Sequence, residues 1–240
     1  SNVLIVYSLA SGGVSIASLF LAGYIPGILM GLALMLVAAV WIKKKKYPPG
    51  EKTSAKKIAT TFLDALPSLL LLVVVIGGIV SGIFTATEAS GIAVLYTLIL
   101  AIIYREINLN KLHKIFLSSV VTTSIVLLLI ATSMGMSWVM SFENIPQTVS
   151  DALLGLSDNK YVILIIINLL LLFVGTFMDM TPAILIFTPI FLPIMQSLGV
   201  DPVHFGMIMV MNLCVGLCTP PVGSVLFIGV GVAKTTIQKV

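Results

Sequence analysis

The sequence has 240 residues, 59% of them hydrophobic and 9% charged, with a formal net charge of +4. With a mean hydropathy of +1.18, this exceeds what a soluble core needs, excludes an ordinary globular enzyme domain and indicates a polytopic membrane protein. Every basic residue except Lys160 lies in 43–57, 105–114 or 234–239, at the ends of apolar runs. That is a positive-inside pattern and not a nucleic-acid surface.

Taken in order, Ser1 to Ala10 is apolar but too short to cross a bilayer, and reads as the end of a segment begun upstream. No basic n-region or cleavage site opens the chain, so no signal peptide is expected. Ser8, Ser11 and Ser15 would share one face if the helix continues through Gly12 and Gly13; there they either line a site or bond back to the helix. Ile16 to Ile42 predicts a long span with a Gly-Tyr-Ile-Pro-Gly kink at 23–27, stopped by Lys43 to Lys46. Residues 48–59 read as a loop leading into a basic amphipathic helix over 55–66 that lies on the membrane.

Pro67 to Phe84 then crosses outward, carrying Gly77 and Gly78, and Ala89 to Tyr104 returns. Between them Thr85 and Glu88 have capping-box spacing, so Glu88 either caps a helix or handles a proton or ion at bilayer depth. Arg105 to Lys114 is a short cytoplasmic connection with a solvated His113, and Ile115 to Met134 goes out again. Residues 135–159, with Trp138 and Phe142, form an outer interfacial segment containing a short helix from Thr148 to Leu156. This topology places Lys43 to Lys46, Arg105 and Lys234 inside, and Asn144 and Asp201 outside.

Two interruptions carry the chemistry. Gly175 to Ala183, G-T-F-M-D-M-T-P-A, separates Tyr161 to Val174 from Ile184 to Gln196, each about half to two-thirds of a span, and predicts a re-entrant hairpin over 161–197. Asp201-Pro202 then has N-cap and N1 chemistry, followed by an interfacial His204. Cys214 to Gly223, C-V-G-L-C-T-P-P-V-G, is the second interruption: Pro220 and Pro221 remove two N–H donors, so a helix entering near Met207 ends before Thr219 and restarts near Val222. The result is a broken helix over 206–233.

Freed carbonyls and hydroxyls at such breaks suit a hard cation, and half-helix N-termini suit an anion. Asp179 is the carboxylate of the hairpin tip; it caps the helix starting at Thr181-Pro182, holds a cation, or does both. Thr219 and carbonyls near Gly216 offer further oxygens, and Gly223-Ser224 offers donors. Cys214 and Cys218 read as packing residues without a transition-metal set. An intramembrane protease, the enzyme alternative, needs a nucleophile with a base or an Asp pair at bilayer depth; a purely structural membrane subunit would not need two interrupted helices.

G-G-I-V-S-G-I-F-T-A-T-E-A at 77–89, F-M-D-M-T-P-A-I-L-I at 177–186, D-P-V-H-F-G at 201–206 and N-L-C-V-G-L-C-T-P-P-V-G at 212–223 resemble the large membrane subunit of tripartite ATP-independent periplasmic (TRAP) transporters. The resemblance runs from end to end and looks like the C-terminal half of such a permease. It implies an all-α, elevator-type fold with inverted repeats in the bacterial inner membrane, residues 1–66 closing the first repeat and 67–240 forming the second. It also implies Na⁺-coupled uptake of a carboxylate such as sialic acid or a C4-dicarboxylate, no other cofactor, and three partners: a small membrane subunit, a periplasmic binding protein and the missing N-terminal half. Carried over by position, Gly77, Gly78, Thr85, Gly175, Asp179, Thr181, Gly216 and Thr219 would bind sodium. Ser1, Ser15, Thr181, Pro182, Ala183, Pro220, Pro221, Val222 and Gly223 would face substrate. Gly77, Gly78 and the Thr85 region would be an unwound stretch, and Ala86 stands where the family commonly has proline.

Overall fold

A long apolar segment in a bilayer has no partner for its backbone but itself, so it folds as a helix. The computed structural model describes residues 2–45, 54–157, 159–220, 223 and 225–226, and its regular structure over these residues is helical. The helices are α1 (Asn2–Ala10), α2 (Ile16–Lys45), α3 (Ala55–Val80), α4 (Ala86–Ile103), α5 (Leu109–Phe142), α6 (Ile145–Leu154), α7 (Lys160–Phe177), α8 (Met180–Ser197) and α9 (Pro202–Leu217). Among the described residues, α2, α3, α4, α5, α7 and α8 are long and apolar enough to cross a membrane. Leu34, Val73, Val94 and Leu128 are each about two-thirds exposed, as suits helices whose solvent is lipid. By the length and composition of these helices the chain is a multi-pass membrane protein.

Its contacts group into two compact units, one of Ser1–Leu19 with Ser119–Val240 and one of Phe20–Ser118. In the second unit α3 packs on α4, and the Tyr96 hydroxyl donates to the Pro67 carbonyl at 2.6 Å. The expected surface helix over 55–66 and the crossing from Pro67 to Phe84 are one continuous helix, α3. Proline removes a single donor, leaving the Leu63 carbonyl one turn earlier without its helical partner, and a helix tolerates one such loss. The helix α2 likewise continues through Pro26. The span expected at Ile115 to Met134 is lengthened at both ends in α5, and the interfacial helix expected over 148–156 is α6, starting at Ile145.

The first unit holds the core. Its centre is α8, which buries Ile184, Leu185, Thr188, Phe191, Ile194 and Met195 against α1, α6, α7 and α9. Tyr7 of α1 is fully buried, donates its hydroxyl to the Pro202 carbonyl at 2.7 Å, and fills the space where a side chain on Gly206 would go. The chain leaves α1 through Gly12 and Gly13 at φ 81° and 106°. That left-handed turn ends the helix, so Ser8, Ser11 and Ser15 do not share a continuous face. Ser8 and Ser11 instead donate to the carbonyls of Val14 and Ser8, and Ser15 accepts from the Ser18 N–H at the start of α2.

Candidate functional site

The hairpin turn is tighter than the sequence suggests. Only Met178 and Asp179 separate α7 from α8, because Gly175 to Phe177 stay helical: the Met178 N–H donates to the Val174 carbonyl at 2.9 Å and the Thr176 hydroxyl to that of Phe173 at 2.7 Å. On the other side Thr181 and Pro182 lie in the first turn of α8, where a missing N–H leaves no gap in the ladder. Each arm therefore has 18 residues, not half to two-thirds of a span.

Asp179 occupies the N-cap position of α8 in extended geometry, φ −67° and ψ 156°, but its carboxylate makes no capping hydrogen bond and is exposed. Asp201 shows what a capping aspartate does: its Oδ1 accepts from the N–H groups of Val203 at 2.8 Å and His204 at 3.1 Å. The Asp179 backbone carbonyl accepts from the N–H of Ala183, which is buried.

The helix α9 meets α7 through glycines. A Cβ on Gly216 would lie 2.8 Å from the Gly175 Cα and 3.2 Å from the Leu172 carbonyl oxygen, so Gly216 has no room for a side chain, and one on Gly175 would be tight, 3.2 Å from the Gly216 Cα. Beyond the end of α9, the Thr219 hydroxyl donates to the Val215 carbonyl at 2.7 Å, and its N–H to that of Gly216 at 2.9 Å. Gly223 turns with φ 49°, a Cβ there would crowd the Thr219 and Leu217 carbonyls at 2.9 and 3.0 Å, and its N–H donates to the Thr176 carbonyl at 3.0 Å. Gly175, Gly216, Thr219 and Gly223 are thus gathered around Thr176. Thr181, Pro182 and Ala183 sit with Asp179 at the head of α8, and Pro220 is exposed. Among the described residues no hydrogen bond joins Asp179 or Thr181 to Thr219.

Gly77, Gly78 and Thr85 belong to the other compact unit. The two glycines are in the last turn of α3 rather than unwound; the unwound stretch is Ser81 to Thr85, turned by Gly82 at φ 74°. The N–H groups of Ile83 and Phe84 both donate to the Gly78 carbonyl, and the Phe84 ring covers the Gly78 Cα. Thr85 and Glu88 form the full capping box: Glu88 Oε2 accepts from the Thr85 N–H and hydroxyl, each at 2.8 Å, and Thr85 Oγ1 accepts from the Glu88 N–H. Ser1, Pro221, Val222, Ser224, Lys234 and the second half of the broken helix lie outside the described residues. Sequence reasoning missed Thr176, whose carbonyl receives the returning chain, and the pair Asn168 and Asn212, whose side chains bond between α7 and α9. Asparagines inside apolar runs were the available signal for the pair.

The described residues thus give a two-residue turn between two long apolar helices, tied through the Thr176 carbonyl to the chain just beyond α9, inside a polytopic α-helical membrane protein. The chain belongs to the family described as the DctM component of the tripartite ATP-independent periplasmic transporter, whose model matches residues 1–240. This is a transport family and not an enzyme family, and it is the family that the motifs resemble. The chain is 63% identical to the uncharacterized protein YgiK of Salmonella typhimurium, over 100% of this chain and 55% of that protein. It is 40% identical to the C4-dicarboxylate TRAP transporter large permease protein DctM of Pseudomonas aeruginosa, over 95% of this chain and 53% of that protein. It is also 39% identical to the sialic acid TRAP transporter large permease protein SiaM of Vibrio cholerae, over 94% of this chain and 53% of that protein. The chain spans about half the length of these curated relatives.

Proposed function

We propose that this chain supplies the cation-binding half of a TRAP permease that takes up a carboxylate, driven by a sodium gradient. The observation that carries the reading is the joining of the two interruptions: Gly175 packs on Gly216, and the Gly223 N–H reaches the Thr176 carbonyl. Asp179 adds a carboxylate that the α8 cap does not use. A sodium ion takes its oxygens from Asp179, Thr181, Thr219 and backbone carbonyls near Gly175 and Gly216, while the N-terminus of α8 at Thr181 to Ala183 and the residues Pro220 to Gly223 face the anionic substrate. On the family pattern alone, Gly77, Gly78 and Thr85 are proposed to bind sodium, and Ser1 and Ser15 to face substrate. The hairpin, whose two arms are each long enough to cross, moves with an elevator-type domain of inverted repeats, and works with the N-terminal half of the permease, a small membrane subunit and a periplasmic binding protein. The DctM and SiaM relatives, named for C4-dicarboxylate and sialic acid transport, favour a carboxylate as the substrate class.

The test is uptake into proteoliposomes by the full-length permease with its small subunit and binding protein, offered sialic acid and C4-dicarboxylates in turn. An inward Na⁺ gradient should stimulate accumulation of one of them. Uptake indifferent to Na⁺ would overturn the coupling, and hydrolysis of a peptide substrate instead of uptake would overturn the transport reading.

A further inference from the structure

Below the glycine contact, α7 and α9 share a polar pair that the cation site does not use. Asn212 Nδ2 donates to the Asn168 backbone carbonyl at 2.8 Å and to Asn168 Oδ1 at 2.5 Å, while Asn168 Nδ2 donates to the Leu164 carbonyl at 2.7 Å. Asn212 Oδ1 is buried with no hydrogen-bond partner. Turning the Asn212 amide over would set its oxygen against two acceptors, so the orphan is inherent in the pairing. In lipid, apolar side chains gain nothing by leaving the tails for one another, so an interhelical asparagine bond is one of the few contacts that hold two helices together. Unlike a leucine contact it is directional, and it fixes one register.

Its placement says which register. Asn168 lies two turns before Gly175 on α7, and Asn212 one turn before Gly216 on α9, so pair and glycine contact belong to one seam. An apolar seam can slip by a turn with little loss, whereas the bond from Asn212 to the side-chain oxygen of Asn168 has no equivalent one turn along and cannot follow the slip. We propose that Asn168 and Asn212 are positioning residues that lock α7 to α9 in the one register that brings Gly175 onto Gly216 and the Gly223 N–H to Thr176, and so shape the cation site. The transport readout rests on the cation-site reading; the register does not.

In the complete permease Asn212→Leu removes both interhelical bonds, whereas Asn168→Leu leaves the one to the backbone carbonyl. Asn212→Leu should accumulate as folded protein yet raise the Na⁺ concentration for half-maximal uptake by roughly three- to tenfold, with a smaller rise for Asn168→Leu and no further rise in the double variant. Asn212→Ala replaces it if the leucine does not fold. The second readout is independent of Na⁺. Leu172 and Val215 line the same groove as the pair, so Leu172→Cys with Val215→Cys, with Cys214 and Cys218 replaced by serine, should be joined by a short bifunctional thiol reagent, and Asn212→Leu should lower that yield. A folded Asn212 variant with wild-type Na⁺ dependence or wild-type cross-linking overturns the proposal. If uptake by the unmutated transporter ignores Na⁺, the cation-site reading falls instead, and the cross-link alone decides the register.

Discussion

Gly216 rests so closely on Gly175 that a methyl group at either position meets backbone: from Gly216 it would lie 2.8 Å from the Gly175 Cα, and from Gly175 it would lie 3.2 Å from the Gly216 Cα. Backbone cannot rotate aside as a side chain can, so Gly216→Ala should force α7 and α9 apart, at a cost of about 1–3 kcal/mol. Gly175→Ala should be milder. Gly91→Ala, where nothing lies within 4 Å, should be harmless. Thermal unfolding in detergent, followed by uptake, gives the ranking, and equal behaviour of Gly216→Ala and Gly91→Ala would disprove the close packing.

The capping box at the start of α4 gives Glu88 a structural task, since one carboxylate oxygen accepts from both the N–H and the hydroxyl of Thr85. Glutamine keeps an acceptor at that place, so Glu88→Gln should retain most transport. Glu88→Leu and Thr85→Val should each lower the amount of folded protein, because they leave first-turn donors of α4 open. Loss of Na⁺-driven uptake in a well-folded Glu88→Gln permease would mean that the charge itself is used.

Much of this was legible in the sequence, because the rules that write it are local. Apolar runs marked the spans, Thr85 with Glu88 announced its box, and Asp201-Pro202 announced the start of α9. Proline misled the reading at Pro67, which interrupts the sequence pattern but not the helix, since a single missing donor is tolerable in a membrane helix; Pro26 reads as lying within one span, and it does. The tip was drawn too wide for a related reason: Gly175 reads as a break, yet it is a helical residue that is small for the sake of Gly216. No local pattern reports a partner 41 positions away. The same holds for Tyr7 with Gly206 and for Asn168 with Asn212, pairs that only the folded chain brings together.

The charge pattern makes the orientation testable. Lys45 and Arg105 are expected on the cytoplasmic side and Asn144 and Asp201 on the periplasmic side. Single cysteines at these positions, treated in intact cells with a membrane-impermeant thiol reagent, should react only at 144 and 201. Modification of Lys45→Cys from outside would reverse the topology.

Asp179 decides whether the hairpin turn is a binding element or a helix start. It stands at the N-cap of α8, but its side chain accepts no capping bond, whereas Asp201 in the same position on α9 accepts two. A carboxylate left out of its own cap is available for a cation. Asp179→Asn preserves size and acceptor geometry while removing the charge that helps hold a desolvated ion, so stability should change little. The Na⁺ concentration for half-maximal uptake should rise by roughly tenfold or more, on the scale of a lost charge-assisted contact. Substrate affinity of the isolated binding protein should stay as it was, because the change lies in the membrane subunit. Maximal uptake at saturating Na⁺ should recover at least in part if the aspartate acts by holding the ion. A variant with unchanged Na⁺ dependence and rate would return Asp179 to the role of a turn residue, and the cation would then have to be held by the hydroxyls and carbonyls around Thr176, Gly216 and Thr219 alone.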